Sequence, residues 1–489
     1  MSALKRVVSL ILFICILLPL AACGGGNNRI YVALDSMPKT LDPQTAESDS
    51  ELLVARNIYE GLTRRDKDGK IVLAAAKSYN YDSLTYTFTL RDGLRWSDGE
   101  EITAEDFVYG IKRALLPETE APFARLLYSI KGAKGVHTGK ANAKSLGISA
   151  PDSKTVKITL TKDDKDFLST LSMPVSMPCK EEFFKNSIGK YGLEKECVLS
   201  SGSYYLARWN KAENGIRLYV NEEYTGAFKP RNGGVFIAKD KEKTVPEKLI
   251  SGDSDMALLN AKHLPDIKGG DIKTESVQNI CWVLSLGGEL TPGIKKALCL
   301  CFSYDIYSGD LPDGFAAARS FLPEILSDNL TGDDARLQFA YDPEGARKIF
   351  SQEIKELKNK KMPQTVLLYT DSDSMRPAIT KIVGNWQKCL SAFINIKATD
   401  KSLDEQIKSH SLSLAVLPVR ADSTVGEYLY KFGASYKGDI YSSDKFLVGK
   451  NNLLPVAYEN TYFGYNKNIS GVYMSNTGGY IDFSYVIKE

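Results

Sequence analysis

Residues that could carry chemistry are few in this sequence and widely scattered. Three histidines, His137, His263 and His410, share no metal-ligand spacing and read as surface or polar-network residues. Ser187-Ile188-Gly189-Lys190 has the spacing of a nucleophilic serine with a lysine base, and Ser327-Asp328-Asn329 follows in the order that such hydrolases use. The third element would be Asn476-Thr477-Gly478, which lacks the required cation. Gly189 is also a poor helix former inside a motif that must open a helix. No GxSxG elbow occurs, and residues 132–140 lack phosphate-loop spacing. The reading is of a protein that is not an enzyme and needs no metal and no cofactor.

The cysteines say more. There are eight: Cys15, Cys23, Cys179, Cys197, Cys281, Cys299, Cys301 and Cys389. Cys23 is the informative one. Lys5-Arg6 forms a short basic segment, and Val7 to Leu20 is a nearly unbroken apolar run of 14 residues. A spanning helix needs about 20, whereas a secretory signal needs about 7–15. Leu20-Ala21-Ala22-Cys23 follows at once and looks like a bacterial lipobox, so residues 1–22 are expected to be removed and the Cys23 thiol to carry lipid. Residues 23–29 then form a tether, with Gly24-Gly25-Gly26 supplying flexibility. The expected place is the outer, or periplasmic, face of the bacterial cytoplasmic membrane. Stable anchoring calls for two or more acyl chains. Six cysteines remain for the exported body, and spacing alone leaves 15 pairings open. Cys299 and Cys301, in an apolar run, read as small buried residues.

The elements that must position any site are mixed. Alternation predicts strands at residues 84–90 and 155–160, with further strands at 30–34, 204–209, 216–220, 235–238 and 365–369. Asn214-Gly215 reads as the turn between two of them, and Cys281 to Leu286 as a buried strand ended by Gly287-Gly288. Helices are predicted over 294–302, 343–357 and 376–390, and Thr103 caps another, with Asp106 in the place of the usual Glu. The fold class is therefore α/β or mixed α+β, and 489 residues imply several domains at about 100–200 residues each. Lys and Arg number 62 against 60 acids, and removal of residues 1–22 leaves 60 of each. That balance excludes an ordinary nucleic-acid binder.

Leu41-Asp42-Pro43, Tyr59-Glu60-Gly61-Leu62, Leu90 through Gly99 and Ile102-Thr103-Ala104-Glu105-Asp106-Phe107 together resemble the solute-binding proteins of oligopeptide and dipeptide ABC importers. Ser201-Gly202-Ser203-Tyr204-Tyr205, Lys295-Lys296-Ala297-Leu298, Tyr341-Asp342-Pro343 and Ile481-Asp482-Phe483 follow in the family's order. The resemblance implies the large two-lobed binding-protein fold with an extra subdomain in the first lobe. The first lobe would comprise residues 30–55, 178–279 and 456–489, the insert 56–177, and the second lobe 280–455, shortened near 432–453. It also implies a monomer that hands a peptide or peptide-like solute to an ABC permease complex. An alternative is an orphan surface lipoprotein of the same fold with an interaction or sensing role.

The family's ligand anchor is a carboxylate that pairs with the peptide amine. Here that position falls on Ala421, with Asp422 one residue beyond it and Arg420 placed to repel an amine. Gly287-Gly288 replaces a usual Asn pair, Leu403 and Pro418 replace tryptophans, and Glu47 and Phe123 hold two cleft positions. The ligand-binding candidates are thus Glu47, Phe123, Gly287, Gly288, Arg420 and Asp422. Either Asp422 takes the anchoring role, or the ligand lacks a buried amine. The resemblance also makes a Cys179–Cys197 bridge possible, worth about 3 kcal/mol for a loop of about 18 residues. It leaves Cys281 unpaired, because its partner position is Val419.

Overall fold

The computed structural model describes residues 28–210, 215–268, 271–287, 290–323, 326, 341–370, 373–399, 414–421, 428–429, 432, 440–451, 453–474 and 480–489. Cys15, Cys23, residues 23–27 of the tether, Asn214, Gly288, the Ser327 and Asn476 motifs, Leu403, His410 and Asp422 lie outside these residues.

One 11-stranded sheet runs through the molecule. In chain order its strands are β1 (Ile30–Leu34), β2 (Tyr204–Asn210), β3 (Gly215–Val220), β4 (Val235–Lys239), β5 (Met256–Leu259), β6 (Ile272–Ser285), β7 (Phe315–Ala317), β8 (Thr365–Thr370), β9 (Ile394–Thr399), β10 (Leu414–Arg420) and β11 (Leu453–Asn466). The spatial order is β9-β8-β10-β6-β11-β5-β1-β4-β3-β2, with β7 also on β11. The helices that matter below are α1 (Asp49–Ile58), α2 (Ala104–Ala114), α3 (Pro292–Leu300), α4 (Pro343–Glu356), α5 (Arg376–Leu390) and α6 (Ile440–Asn451). No helix of the described residues is long and apolar enough to cross a membrane.

β6 and β11 join the two lobes. Each has 14 residues and they pair antiparallel from Ile272 opposite Asn466 to Ser285 opposite Leu453. At about 3.3 Å per residue, each strand reaches about 46 Å, long enough to serve both lobes. β6 changes character along its length: Lys273–Ser276 is exposed and Asn279–Leu284 is buried. In the buried half, Ile280, Trp282 and Leu284 pack with α3, α4 and α5, while Cys281 and Val283 pack with Val419, Ala421 and Leu447 on the opposite face. A strand covered on both faces is apolar at every position. Pro455 is tolerated in the central strand β11 because it sits at the register shift beside Trp282/Val283.

The insert carries a four-stranded antiparallel sheet, with Ala76–Asp82, Thr85–Leu90, Thr155–Thr159 and Ile148–Asp152 as neighbours in that order. Tyr86, Phe88 and Leu90 point inward as the alternation predicts. Leu84, however, is a hairpin residue at φ +65, next to Ser83 at φ +48. Asp106 does take the capping role: its carboxylate accepts from the Thr103 backbone N–H at 2.9 Å. The insert and the first lobe share one continuous core, in which Trp96, Phe107 and Val156 join Ile30, Val32 and Ile237.

Candidate functional site

The site is built where α1 of the first lobe meets the end of β10 of the second. α1 begins at a capping box in which Ser48 and Glu51 satisfy each other's backbone N–H groups. The Glu51 carboxylate does more than cap. Its Oε1 accepts from Lys39 N at 3.0 Å and Thr40 N at 3.3 Å, and its Oε2 from Glu47 N and Ser48 N, both at 2.9 Å. Burial alone would raise its pKa, but the backbone donors of Glu47, Ser48 and Lys39 outweigh it and hold the carboxyl below the ordinary range. Glu51 thus fixes the turn that leaves Glu47 exposed and Asp49 half-buried beside it.

Arg420 is the last residue of β10 and lies across from Ile280 of β6. Its Nη2 is 2.9 Å from Asp49 Oδ2, and its Nη1 donates to Thr461 Oγ1 of β11 at 2.9 Å. Thr461 in turn donates to Asn279 Oδ1 at 2.8 Å, and the Nδ2 of fully buried Asn279 has no hydrogen-bond partner. An ion pair therefore spans the two lobes, and a hydrogen-bond chain carries it into the paired crossover strands. Glu459 sits nearby on β11, its Oε2 accepting from Trp282 Nε1 at 2.8 Å. Burial raises its carboxyl, opposed by that hydrogen bond and by the Arg420 charge.

The other candidates fare differently. Ala421 is fully buried in the apolar cluster with Cys281 and Val419, so the position of the expected amine anchor is core. Phe123 is only 4% exposed and packs in the shared core of the first lobe and insert. Gly287 is half-buried just beyond β6, and Gly288 and Asp422 lie outside the described residues. The Cys179–Cys197 bridge is corrected, for both are free thiols. Cys179 is enclosed with Tyr191 and Arg113, and burial pushes its thiol up to about 12, while Cys197 closes a separate half-buried turn. Cys281 is a buried free thiol that lies opposite Val419. Ser187 cannot begin a catalytic helix. It ends one, its hydroxyl donates to Phe183 O at 2.8 Å, and Ile188 and Gly189 follow at φ +47 and +76. Among the described residues no group of three or more His, Cys, Asp or Glu is disposed to hold a metal.

Asp49 is the residue that sequence reasoning missed. An aspartate in the first turn of a helix reads as a helix-dipole group. Its one distinguishing signal was its place two residues after Glu47.

Residues 70–439 match the profile of the bacterial extracellular solute-binding proteins, family 5 Middle. The chain belongs to that family. Among curated relatives, the family 5 chain is 29% identical over 369 residues to a dipeptide-binding protein of Lactococcus lactis, covering 69% of this chain and 66% of the relative. It is 26% identical over 392 residues to the oligopeptide-binding protein OppA of Bacillus subtilis, covering 76% and 71%. The solved structure of Listeria monocytogenes OppA bound to peptide superposes with a TM-score of 0.79 at 19% identity, covering 95% of this chain and 99% of that one. The Escherichia coli murein tripeptide-binding protein MppA gives 0.76 at 20% identity, covering 94% and 99%. These likenesses show the large two-lobed binding-protein fold for this family 5 chain. Its family is that of the bacterial extracellular solute-binding proteins, and the relatives are named as dipeptide- and oligopeptide-binding proteins.

Proposed function

We propose that this protein is the lipid-anchored capture component of an ABC importer. It takes a peptide or peptide-like solute between its lobes and delivers it, as a monomer, to a permease complex at the outer face of the membrane. Residues 30–55, 178–279 and 456–489 form the first lobe, 56–177 the insert and 280–455 the second lobe. The observation that carries the reading is Arg420 facing Asp49 from opposite lobes beside two paired crossover strands, a geometry suited to hinge closure on a ligand. The relatives named as dipeptide- and oligopeptide-binding proteins support the solute class. Calorimetry with a pool of di- to pentapeptides is expected to show micromolar or tighter binding. A flat titration against every pool would end the peptide reading. For the anchor, Cys23→Ala is expected to leave the membrane fraction or remain unprocessed, and normal processing and retention would refute it.

A second reading, an orphan surface lipoprotein with an interaction or sensing role, draws support from Ala421, whose burial in the core removes the usual anchor. Ligand co-purifying with the native protein separates the two.

A further inference from the structure

Six cysteines fall in the described residues, and two of them meet. Cys301 caps the C-terminus of α3, and Cys389 lies in the last turn of α5. Both belong to the apolar core of the second lobe, where Cys301 is 1% and Cys389 8% exposed. One side chain serves both: Asn385 Nδ2 donates to Cys301 O at 2.7 Å, and Asn385 Oδ1 accepts from Cys389 Sγ at 3.6 Å. The two thiols are themselves hydrogen-bond neighbours. Trp386 Nε1 donates to Leu298 O at 2.9 Å and Arg347 Nε to Cys389 O at 3.0 Å, which holds α3, α4 and α5 in this register. Cys299 comes two residues earlier on α3 and therefore faces away from Cys301. Burial alone pushes its thiol up to about 12. Cys179 and Cys197, by contrast with the meeting pair, sit in separate surroundings. We infer that Cys301 and Cys389 form a disulfide site, a covalent staple that ties the end of α3 to the end of α5 once the protein meets an oxidising compartment.

The structure holds the reduced pair. Bridging removes two electrons and two protons, and a disulfide oxidant takes both, its own S–S bond becoming two thiols. The order of events follows from access. Tyr341 is 46% exposed and its hydroxyl lies 3.9 Å from Cys389 Sγ, so Cys389 is the thiol nearer to solvent. Its thiolate attacks the oxidant, breaks that S–S bond, forms a mixed disulfide and releases one thiol. The Cys301 thiolate then attacks Cys389 Sγ, closes the bridge and expels the second thiol. Burial, and after it the neighbouring Cys389 thiol, raise the Cys301 thiol above its ordinary range. The second step is therefore the slow one in the folded protein. An extracellular family is the setting in which such bridges persist. The staple closes a loop of about 90 residues, and in the chain-entropy model its gain comes from restricting the unfolded second lobe. The bridge requires an exported protein but no particular solute.

The test uses the full-length protein, reduced while folded and then equilibrated in glutathione buffers that run from fully reduced to fully oxidised. Samples are quenched in acid, alkylated in denaturant and mapped as peptides without reduction. A linked Cys301–Cys389 peptide is expected, with Cys179, Cys281 and Cys299 alkylated. The oxidised protein is expected to melt about 5–10 °C above the reduced one. That difference should vanish in Cys389→Ala and persist in Cys299→Ala. Alkylation of both Cys301 and Cys389 in fully oxidised buffer would overturn the site. So would glutathione retained on Cys389 beside a free Cys301, or a linked peptide that pairs either cysteine with another. An oxidised form whose Tm is unchanged or lower would overturn the staple. The mapping is made on wild type, so it needs no variant to fold, and a flat solute titration leaves its outcome unchanged.

Discussion

The two lobes partner their buried aspartates differently. In the first lobe, Asp42 is only 4% exposed, yet it accepts from Arg113 Nη1 at 2.8 Å and pairs with Nη2 as well. The rings of Phe184 and Tyr191 flank the same guanidinium at 4.3 and 5.0 Å. Gly192, at φ +73, lets the chain pass so close that a Cβ would meet Asp42 N at 2.2 Å. Glu60 is ringed in the same way, by Arg91 at 2.6 Å and by Tyr224 and Arg64, although burial still raises its carboxyl against them. In the second lobe, Asp444 of α6 is fully buried with one oxygen accepting from Phe321 N at 3.3 Å and the other without a partner. Among the described residues, the groups that oppose burial there are the Ser320 side chain and the Phe321 backbone. The first lobe thus buries charge as part of its scaffold, and the second buries a carboxyl that is better off neutral.

Replacing an aspartate in each lobe should therefore give opposite signs. Asp42→Ala strips the buried Arg113 guanidinium of its carboxylate, leaving it Gln44 Oε1 at 2.6 Å, and is expected to lower stability by about 3–5 kcal/mol, read from urea unfolding at pH 7. A loss below 1 kcal/mol would mean that water reaches Arg113. Asp444 works the other way. Burial raises its carboxyl to about 7, against about 3.9 in an unfolded chain. Between those values the native protein holds more protons than the unfolded one, so stability falls as pH rises through that window. The difference amounts to about 4 kcal/mol once pH exceeds 7. Asp444→Asn should remove this slope and be the more stable protein at pH 8. Parallel stability curves from pH 4 to 8 would show that Asp444 stays ionised.

How far the sequence reveals these lobes depends on how local each signal is. The strand Thr85–Leu90 and the helix Arg376–Leu390 are legible because period and burial agree within one element. In β6, only the buried half announces itself, since Lys273, Thr274 and Glu275 are exposed and break the apolar run. In β11, Pro455 and Gly464 read as breakers. One sits at a register shift, and the other lies where a Cβ would meet Leu249 Cδ2 at 2.6 Å, so both are consequences of tertiary pairing. The site is less legible still. Arg420 stood out only through its place beside Ala421, and nothing local ties it to Asp49. Their meeting depends on the order β10-β6-β11-β5, a long-range property that no spacing encodes.

The smallest expected effect concerns Glu51, and it sharpens the comparison from the acid side. One carboxylate accepts four backbone N–H groups, from Lys39, Thr40, Glu47 and Ser48. Glu51→Gln keeps the shape but turns one acceptor into a donor facing donors. The loss should be about 1–2 kcal/mol at pH 7, in the range of a lost cap or charged hydrogen bond. Because the native carboxyl titrates below its ordinary value, its contribution is present above the unfolded pKa of about 4.3 and is lost as pH falls through the native one. The gap between wild type and variant should therefore close in acid, where the Asp444 penalty also disappears. Amide exchange adds a local readout, with faster exchange expected at Lys39, Glu47 and Ser48. If the gap persists unchanged at pH 3, the neutral side chain makes the same bonds, and Asp49 is positioned by the backbone of the turn without help from the Glu51 charge.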